Sequence, residues 1–263
     1  MYYLGIDIGS LSCDAVIINK DGKAVAWAVV PTGAKNRSAI ERARAEVLNI
    51  AGIDQKEIEA IVSTGYGRDR VEKKDATVTE ITCHARGVSA LIPETRVLVD
   101  IGGQDSKAIR LGPEGKVMDF AMNDKCAAGT GRFLEAMARA LQVDIDELGN
   151  LDQGATKDLT LSSMCTVFAE SEVVSLIAQG METNEIVRGL CRSIASRTVS
   201  LVKRVGGDAP DLAVSMSGGV AHNKGVIRAI SEALGKEVKA PEKPDTVGAL
   251  GAALIARDKA AKE

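Results

Sequence analysis

Short apolar runs open the chain. Residues 2–8 read as a buried strand, and 14–19 and 24–30 as two more, joined by the turn Lys20-Asp21-Gly22. Helical spacing then takes over across 38–51, with the charges on one face and Gly52 as a stop. Residues 60–63 form a short strand that runs into Thr64-Gly65-Tyr66-Gly67-Arg68, and 84–92 read as a helix halted before Pro93. The pattern then restarts. Strands are expected at 96–101, 107–111 and 117–122, with Gly112-Pro113-Glu114-Gly115 as the turn between the last two. Helices follow at 133–141, 166–179 and 184–205, then a strand at 212–216, a helix at 223–234, a strand at 237–240 and a helix at 247–259.

The restart has a sequence signature. Ile6-Asp7-Ile8-Gly9-Ser10 is echoed by Val99-Asp100-Ile101-Gly102-Gly103, and Ser217-Gly218-Gly219 is a third small-residue turn at a strand end. Alternating strands and helices with this echo indicate an α/β fold of two duplicated lobes. The expected division is 1–94, completed by the C-terminal helix 247–263, and 95–246.

Glycine in such a turn lets the backbone approach a ligand, and consecutive N–H groups form an anion-binding nest. Asp7 and Asp100 repel phosphate directly, but each suits a hydrated Mg2+ that bridges phosphates. Two lobes offering Asp and Gly would clamp one nucleotide–metal complex. The Walker A pattern is absent, and the first glycine turn leads into a strand, which excludes a Rossmann site. The same residues equally describe two hairpin turns whose aspartates cap.

Composition narrows the classes. Of 263 residues, 45% are apolar and 26% charged, as in ordinary globular chains. No uncharged run is long enough for a membrane helix, and the N-terminus lacks a basic region before Asp7, so a cytoplasmic protein is expected. The net charge of −3 and the scarcity of aromatic residues (Tyr 3, Phe 3, Trp 1) give no footprint for nucleic acid.

The cysteines are Cys13, Cys83, Cys126, Cys165 and Cys191, an odd number without C-x-x-C spacing. All five can be small buried hydrophobes. Two of them, however, lie in small-residue segments that precede helices, Cys126 within 123–132 and Cys165 after Ser162-Ser163-Met164. Helix starts favour thiolates and anions. Two thiolates are too few for an iron–sulfur cluster, whereas a twofold dimer would supply four. Inert cysteines and a shared cluster both remain open on this reading.

Gly5-Ile6-Asp7-Ile8-Gly9-Ser10, Thr64–Arg68, Asp100-Ile101-Gly102-Gly103-Gln104-Asp105, 123–133 and Cys165-Thr166-Val167-Phe168-Ala169-Glu170-Ser171-Glu172 together resemble the ATP-dependent activators of 2-hydroxyacyl-CoA dehydratases, relatives of the benzoyl-CoA reductase ATPase subunits. The likeness extends through Ser217-Gly218-Gly219-Val220-Ala221 and Gly248-Ala249-Leu250-Gly251-Ala252-Ala253. It implies an actin/hexokinase/Hsp70-like two-lobed ATPase fold and an oxygen-sensitive homodimer. It implies one [4Fe-4S] cluster held by Cys126 and Cys165 of each subunit, reduced by ferredoxin or flavodoxin. ATP, with Mg2+, would drive a low-potential electron into a cluster-containing dehydratase or reductase, leaving ADP.

Under this reading the nucleotide contacts fall on Gly9, Ser10, Leu11, Ser12, Cys13, Gly102, Gly103, Gly129, Thr130, Gly131, Gly218, Gly219 and Asn223, and the catalytic group comprises Asp7, Asp100, Gln104 and Asp105. Gln104 or Asp105 would position the attacking water, by analogy with other phosphoryl-transfer sites. Cys13 is expected as filler in the first turn, Cys83 and Cys191 as core, and His84 and His222 as structural. One departure stands out: Asp14 occupies a position where the family commonly has Lys. If its side chain points inward, nucleotide affinity should fall. An integral ATPase subunit of an aryl-CoA reductase and a cluster-free small-molecule kinase of the same fold are the rival readings.

Overall fold

The computed structural model describes residues 1–157, 159–161 and 165–261. The chain divides into two compact units. The first contains Met1–Thr95, Leu111–Met118 and Pro241–Glu263, and the second contains Arg96–Arg110 and Asp119–Ala240.

The first unit begins with β1 (Tyr2–Ile8), β2 (Ser12–Asn19), β3 (Ala24–Pro31) and α1 (Asn36–Ala51). It continues through β4 (Ile58–Gly65), β5 (Ala76–Thr77) and α2 (Glu80–Leu91). The sheet order is β3-β2-β1-β4-β5, with β1 antiparallel to β2 and parallel to β4. Gly52 ends α1 in the left-handed conformation, and Thr79 caps α2.

The second unit repeats this plan. Its sheet uses β6 (Val97–Ile101), β7 (Ser106–Leu111), β8 (Val117–Asn123), β9 (Val214–Ser217) and β10 (Val238–Lys239), in the order β10-β9-β6-β7-β8. Here β6 is antiparallel to β7 and parallel to β9, the same relations that β1 has to β2 and β4. The helices are α3 (Gly131–Leu141), α4 (Leu148–Leu151), α5 (Thr166–Ala178), α6 (Thr183–Arg204) and α7 (Lys224–Leu234). The last helix, α8 (Val247–Ala260), belongs to the first unit. Among the described residues, no helix is long and apolar enough to cross a membrane.

Strand alternation decides which side chains reach which core. Leu4, Ile6 and Ile8 of β1 join Cys13, Ala15 and Ile17 of β2 in one cluster with Ala39, Ile40, Ala43 and Val47 of α1. Tyr3, Val16 and Ile18 lie on the opposite face, with Ala249, Ala252 and Ala253 of α8. Asp7 and Asp14 follow the parity of Tyr3 and Val16. Both therefore project to the α8 side, and both are buried. In the second unit, Val97, Val99 and Ile101 pack with Phe133, Leu134 and Met137 of α3 and with Ile186, Leu190 and Ile194 of α6.

Candidate active site

Each unit carries one row of polar side chains across three strand ends. In the second unit the row is Lys107 on β7, Asp100 on β6 and Ser217 on β9, in register. Ser217 Oγ donates to Asp100 Oδ1 at 2.8 Å. Lys107 Nζ lies 3.2 Å from Asp100 Oδ2 and 2.5 Å from Asp105 Oδ2. Asp100, Asp105 and Lys107 are all buried, so the ammonium ties two desolvated carboxylates to one strand. Gly218, directly after Ser217, has φ +84°, and a Cβ there would lie 2.9 Å from Asp100 Oδ1 and collide with the Ile101 carbonyl. Glycine is required at that position.

In the first unit the corresponding row is Asp14 on β2, Asp7 on β1 and Thr64 on β4. Gly65 follows Thr64 with φ +83°, and a Cβ there would collide with Asp7 Oδ1 and the Ile8 carbonyl. The turns match as well: Gly9 N–H donates to Ser12 O at 2.9 Å, and Gly102 N–H to Asp105 O at 3.0 Å. The chemistry does not match. Ser12 Oγ donates to Asp14 Oδ2 at 3.1 Å, but Asp14 Oδ1 is buried without a hydrogen-bond partner. Thr64 lies beside the buried Cys83 thiol. His84 Nε2 lies 3.5 Å from Asp7 Oδ2. Burial, followed by the negative charges of Asp7 and Asp245, holds the Asp14 carboxyl well above the usual range, partly offset by the Ser12 hydrogen bond.

The glycine turn of the second unit is fastened to α3. Gly131 N–H donates to Gly102 O at 2.9 Å and Arg132 N–H to Gly103 O at 3.0 Å. Thr130 Oγ1 lies within hydrogen-bond reach of Gly103 O at 2.9 Å and Ala127 O at 2.7 Å. Gly102, Gly103, Thr130 and Gly131 thus come together, with Gly129 in the preceding turn at φ +89°. Gln104 projects from this turn and is exposed, whereas Asp105 is committed to Lys107.

Other expected contacts are placed differently. Cys13 lies inside β2 rather than in the turn, with its side chain in the α1 core, so only its backbone faces the turn side. Asn223 is the N-cap of α7, its Oδ1 accepting from Val226 N–H at 3.0 Å. Gly9, Ser10, Leu11 and Ser12 are partly exposed, and Gly219 is exposed.

The cysteines separate by burial. Cys13, Cys83 and Cys191 are buried, and desolvation pushes each thiol up to about 12. Cys126 is partly exposed and Cys165 is exposed. Cys165 is the N-cap of α5, while residues 162–164 before it lie outside the described residues. Cys126 does not open a helix: α3 begins at Gly131 after the Thr130 N-cap, and Cys126 sits in the loop between β8 and that cap. Its carbonyl accepts from Asn123 Nδ2 at 3.3 Å.

Lys107 and Thr64 were missed as site residues. The signal was present in the repeat, because Lys107 follows Asp100 at the same offset as Asp14 follows Asp7, and Thr64-Gly65 parallels Ser217-Gly218.

Comparison with known proteins places this geometry. The chain is 48% identical, over the full length of both chains, to an activator of lactoyl-CoA dehydratase from Anaerotignum propionicum. The structure of the activator of 2-hydroxyisocaproyl-CoA dehydratase from Clostridium difficile with bound ADPNP matches with a TM-score of 0.93 at 42% identity, covering 100% of this chain and 96% of that one. Component A of the Acidaminococcus fermentans (R)-2-hydroxyglutaryl-CoA dehydratase matches with a TM-score of 0.94 at 43% identity, covering 99% of each chain. A ROK family glucokinase from Streptomyces griseus shares the fold alone, with a TM-score of 0.61 at 15% identity over 98% of this chain and all of that one. The fold is therefore the two-lobed α/β fold of actin- and hexokinase-like ATPases. The model of the BadF/BadG/BcrA/BcrD ATPase family matches residues 4–256, and this chain belongs to that family.

Proposed function

We propose that this protein is an ATP-hydrolysing activator that delivers low-potential electrons to a 2-hydroxyacyl-CoA dehydratase or a related cluster-containing enzyme. The observation that carries the reading is the division of the cysteines. Three are sealed in cores, and the two that remain accessible, Cys126 and Cys165, are those the family resemblance assigns to metal.

The donor set fits an iron–sulfur cluster. Thiolates are the ligands such clusters need, and buried thiols pushed up to about 12 are poor candidates. Two accessible cysteines per chain make half a set, so a second copy of the chain supplies the rest. Val167 and Phe168, next to Cys165, are 67% and 68% exposed, and Val174 and Ile177 on the same helix are exposed too. An uncovered apolar group of this kind beside a proposed ligand supports a homodimer interface. When bound, a [4Fe-4S] cluster supplies one-electron storage at low potential.

Each unit carries an Asp-Gly turn of the kind that accepts nucleotide phosphate. Asp7 and Asp100 are the carboxylates suited to a hydrated Mg2+, a cation that commonly keeps several waters. Lys107 fixes Asp100 and Asp105 in place. Gln104, exposed on the same turn, is the side chain available to orient water toward the γ-phosphate. Ferredoxin or flavodoxin is the electron donor class, and exposure of Cys165 makes the protein oxygen-sensitive.

Anaerobic purification tests the reading. A brown dimer with about four irons, lost in both Cys126→Ser and Cys165→Ser, and electron delivery to a dehydratase only with ATP are expected. An iron-free chain that phosphorylates a small metabolite would replace the activator with a kinase.

A further inference from the structure

Both segments that carry the accessible cysteines lean on α6. Gly129, shortly after Cys126, lies so close to it that a Cβ at 129 would meet Arg197 Cδ at 3.2 Å. Upstream of Cys165, Leu159 rests on Gly189, where a Cβ would stand 3.3 Å from Leu159 Cδ2 and from the Leu159 carbonyl oxygen. Leu161 is buried in the core that α6 shares with α3 and the second sheet.

On the Cys165 side a charge joins this packing. Glu185 stands in the first turn of α6 and is buried. A carboxylate there ordinarily serves its own helix, through the dipole or a cap. This one is spent on a distant stretch of chain. Its Oε1 accepts from Thr156 N–H at 2.9 Å and from Thr156 Oγ1 at 3.3 Å, and its Oε2 accepts from Lys157 N–H at 2.8 Å. The bond from Thr156 N–H holds the carboxyl below the usual carboxylate range against the opposing effect of burial, and Lys157 N–H adds to it. Hydrogen bonds to an ionised acceptor are the strong kind, and removing that acceptor strands two backbone donors.

We propose that Glu185 is a positioning residue for Cys165: its carboxylate clamps Thr156 and Lys157 to α6 and thereby sets where the Cys165 thiol is presented. The chain from the buried Leu161 to Cys165 spans at most about 14 Å. Beyond Cys165, Ala169 and Val173 of α5 are buried, so the cysteine lies between two anchored stretches. A ligand-bearing segment ordered beforehand loses little backbone entropy when the ligand engages. That such placement serves a cluster rests on the proposed function. The clamp itself stands without it.

Nitroxide labels on iron-free protein test the clamp. Cys126→Ser directs the label to Cys165, and Cys165→Ser directs it to Cys126, because the other three thiols are buried. Glu185→Ala should shift the label at Cys165 from the slow to the fast component of its electron paramagnetic resonance spectrum and leave the label at Cys126 unchanged. Glu185→Gln, which keeps one acceptor oxygen, should fall between. Gly189→Ala pushes on Leu159 while improving the helix propensity of α6, so it should also shift the Cys165 label, and it keeps the proposal testable should the Glu185 variants fail to fold. In the iron-loaded protein, Glu185→Ala should surrender iron to a chelator about tenfold faster than the wild type, the scale of a lost outer-shell partner. A Cys165 label unchanged in both Glu185→Ala and Gly189→Ala overturns the proposal. Equal loosening at Cys126 and Cys165 also overturns it, because α6 would then be a general prop. A wild type that binds no iron removes the cluster reading and leaves the labels to decide the clamp.

Discussion

Asp7 and Asp100 end equivalent strands, sit beside equivalent hydroxyls and face equivalent glycines, yet their surroundings differ. Asp100 is neutralised by its own chain through Lys107 and receives a hydrogen bond from Ser217. Asp7 faces Asp14 and Thr64, with His84 3.5 Å away. Duplication preserved the backbone device, a strand end followed by a close glycine turn, while electrostatics diverged at a single position. The second unit also holds both accessible cysteines, whereas the cysteines of the first unit are sealed. The proposed redox chemistry and the built-in counterion therefore lie in one unit, and the carboxyl without a counterion lies in the other.

The widest expected gap is in thiol reactivity. In the iron-free protein, alkylation followed by mass spectrometry should label Cys165 fastest and Cys126 next. Cys13, Cys83 and Cys191 should lag by roughly a thousandfold, since a thiol pushed up to about 12 has little thiolate at neutral pH. Comparable labelling of Cys13 would contradict its place in the α1 core.

Lys107→Met should cost about 3–5 kcal/mol in urea unfolding, because it leaves Asp100 and Asp105 buried and uncompensated. A change below 1 kcal/mol would show that Lys107 is dispensable to the row. Ser217→Ala should cost about 1.5–3 kcal/mol, the range for a hydrogen bond to a charged group. Thr64→Val should cost less than Ser217→Ala, because the Thr64 hydroxyl meets only the weak Cys83 thiol rather than a charged group. Equal costs at the two sites would erase the contrast between the rows.

The smallest effect concerns pH. The folded chain holds the Asp14 proton more tightly than the unfolded chain does. In chelator-treated buffer, this group's contribution is present below the ordinary aspartate range of about 4 and is lost as pH rises through the raised folded value. Wild-type stability should therefore decline with rising pH relative to Asp14→Asn. Parallel pH profiles would refute this.

Much of this molecule was legible in its residues, and the reasons for the misses are physical. Short apolar runs marked the strands of both sheets apart from β5, and the Asp-Gly echo revealed the duplication. The two-residue β5 and four-residue α4 left no periodic signal. The helix expected at 133–141 begins two residues earlier, at Gly131, because small residues fit a loop as well as a helix. What fixes the boundary is a pairing of Thr130 with Gly103, distant in sequence. Asn223, expected at the nucleotide, also caps α7 through its Oδ1, a role set by the helix start rather than by a local pattern. Lys107 escaped notice because its importance lies in strand register, which a local pattern does not contain.

The fastening of the glycine turn to α3 has a mechanical consequence. The carbonyls of Gly102 and Gly103 are clamped by Gly131, Arg132 and Thr130, so the turn and the helix move as one lever. A phosphate that pulls on those glycines either drags the base of the helix, and with it the short loop leading back to Cys126, or tears three bonds at once.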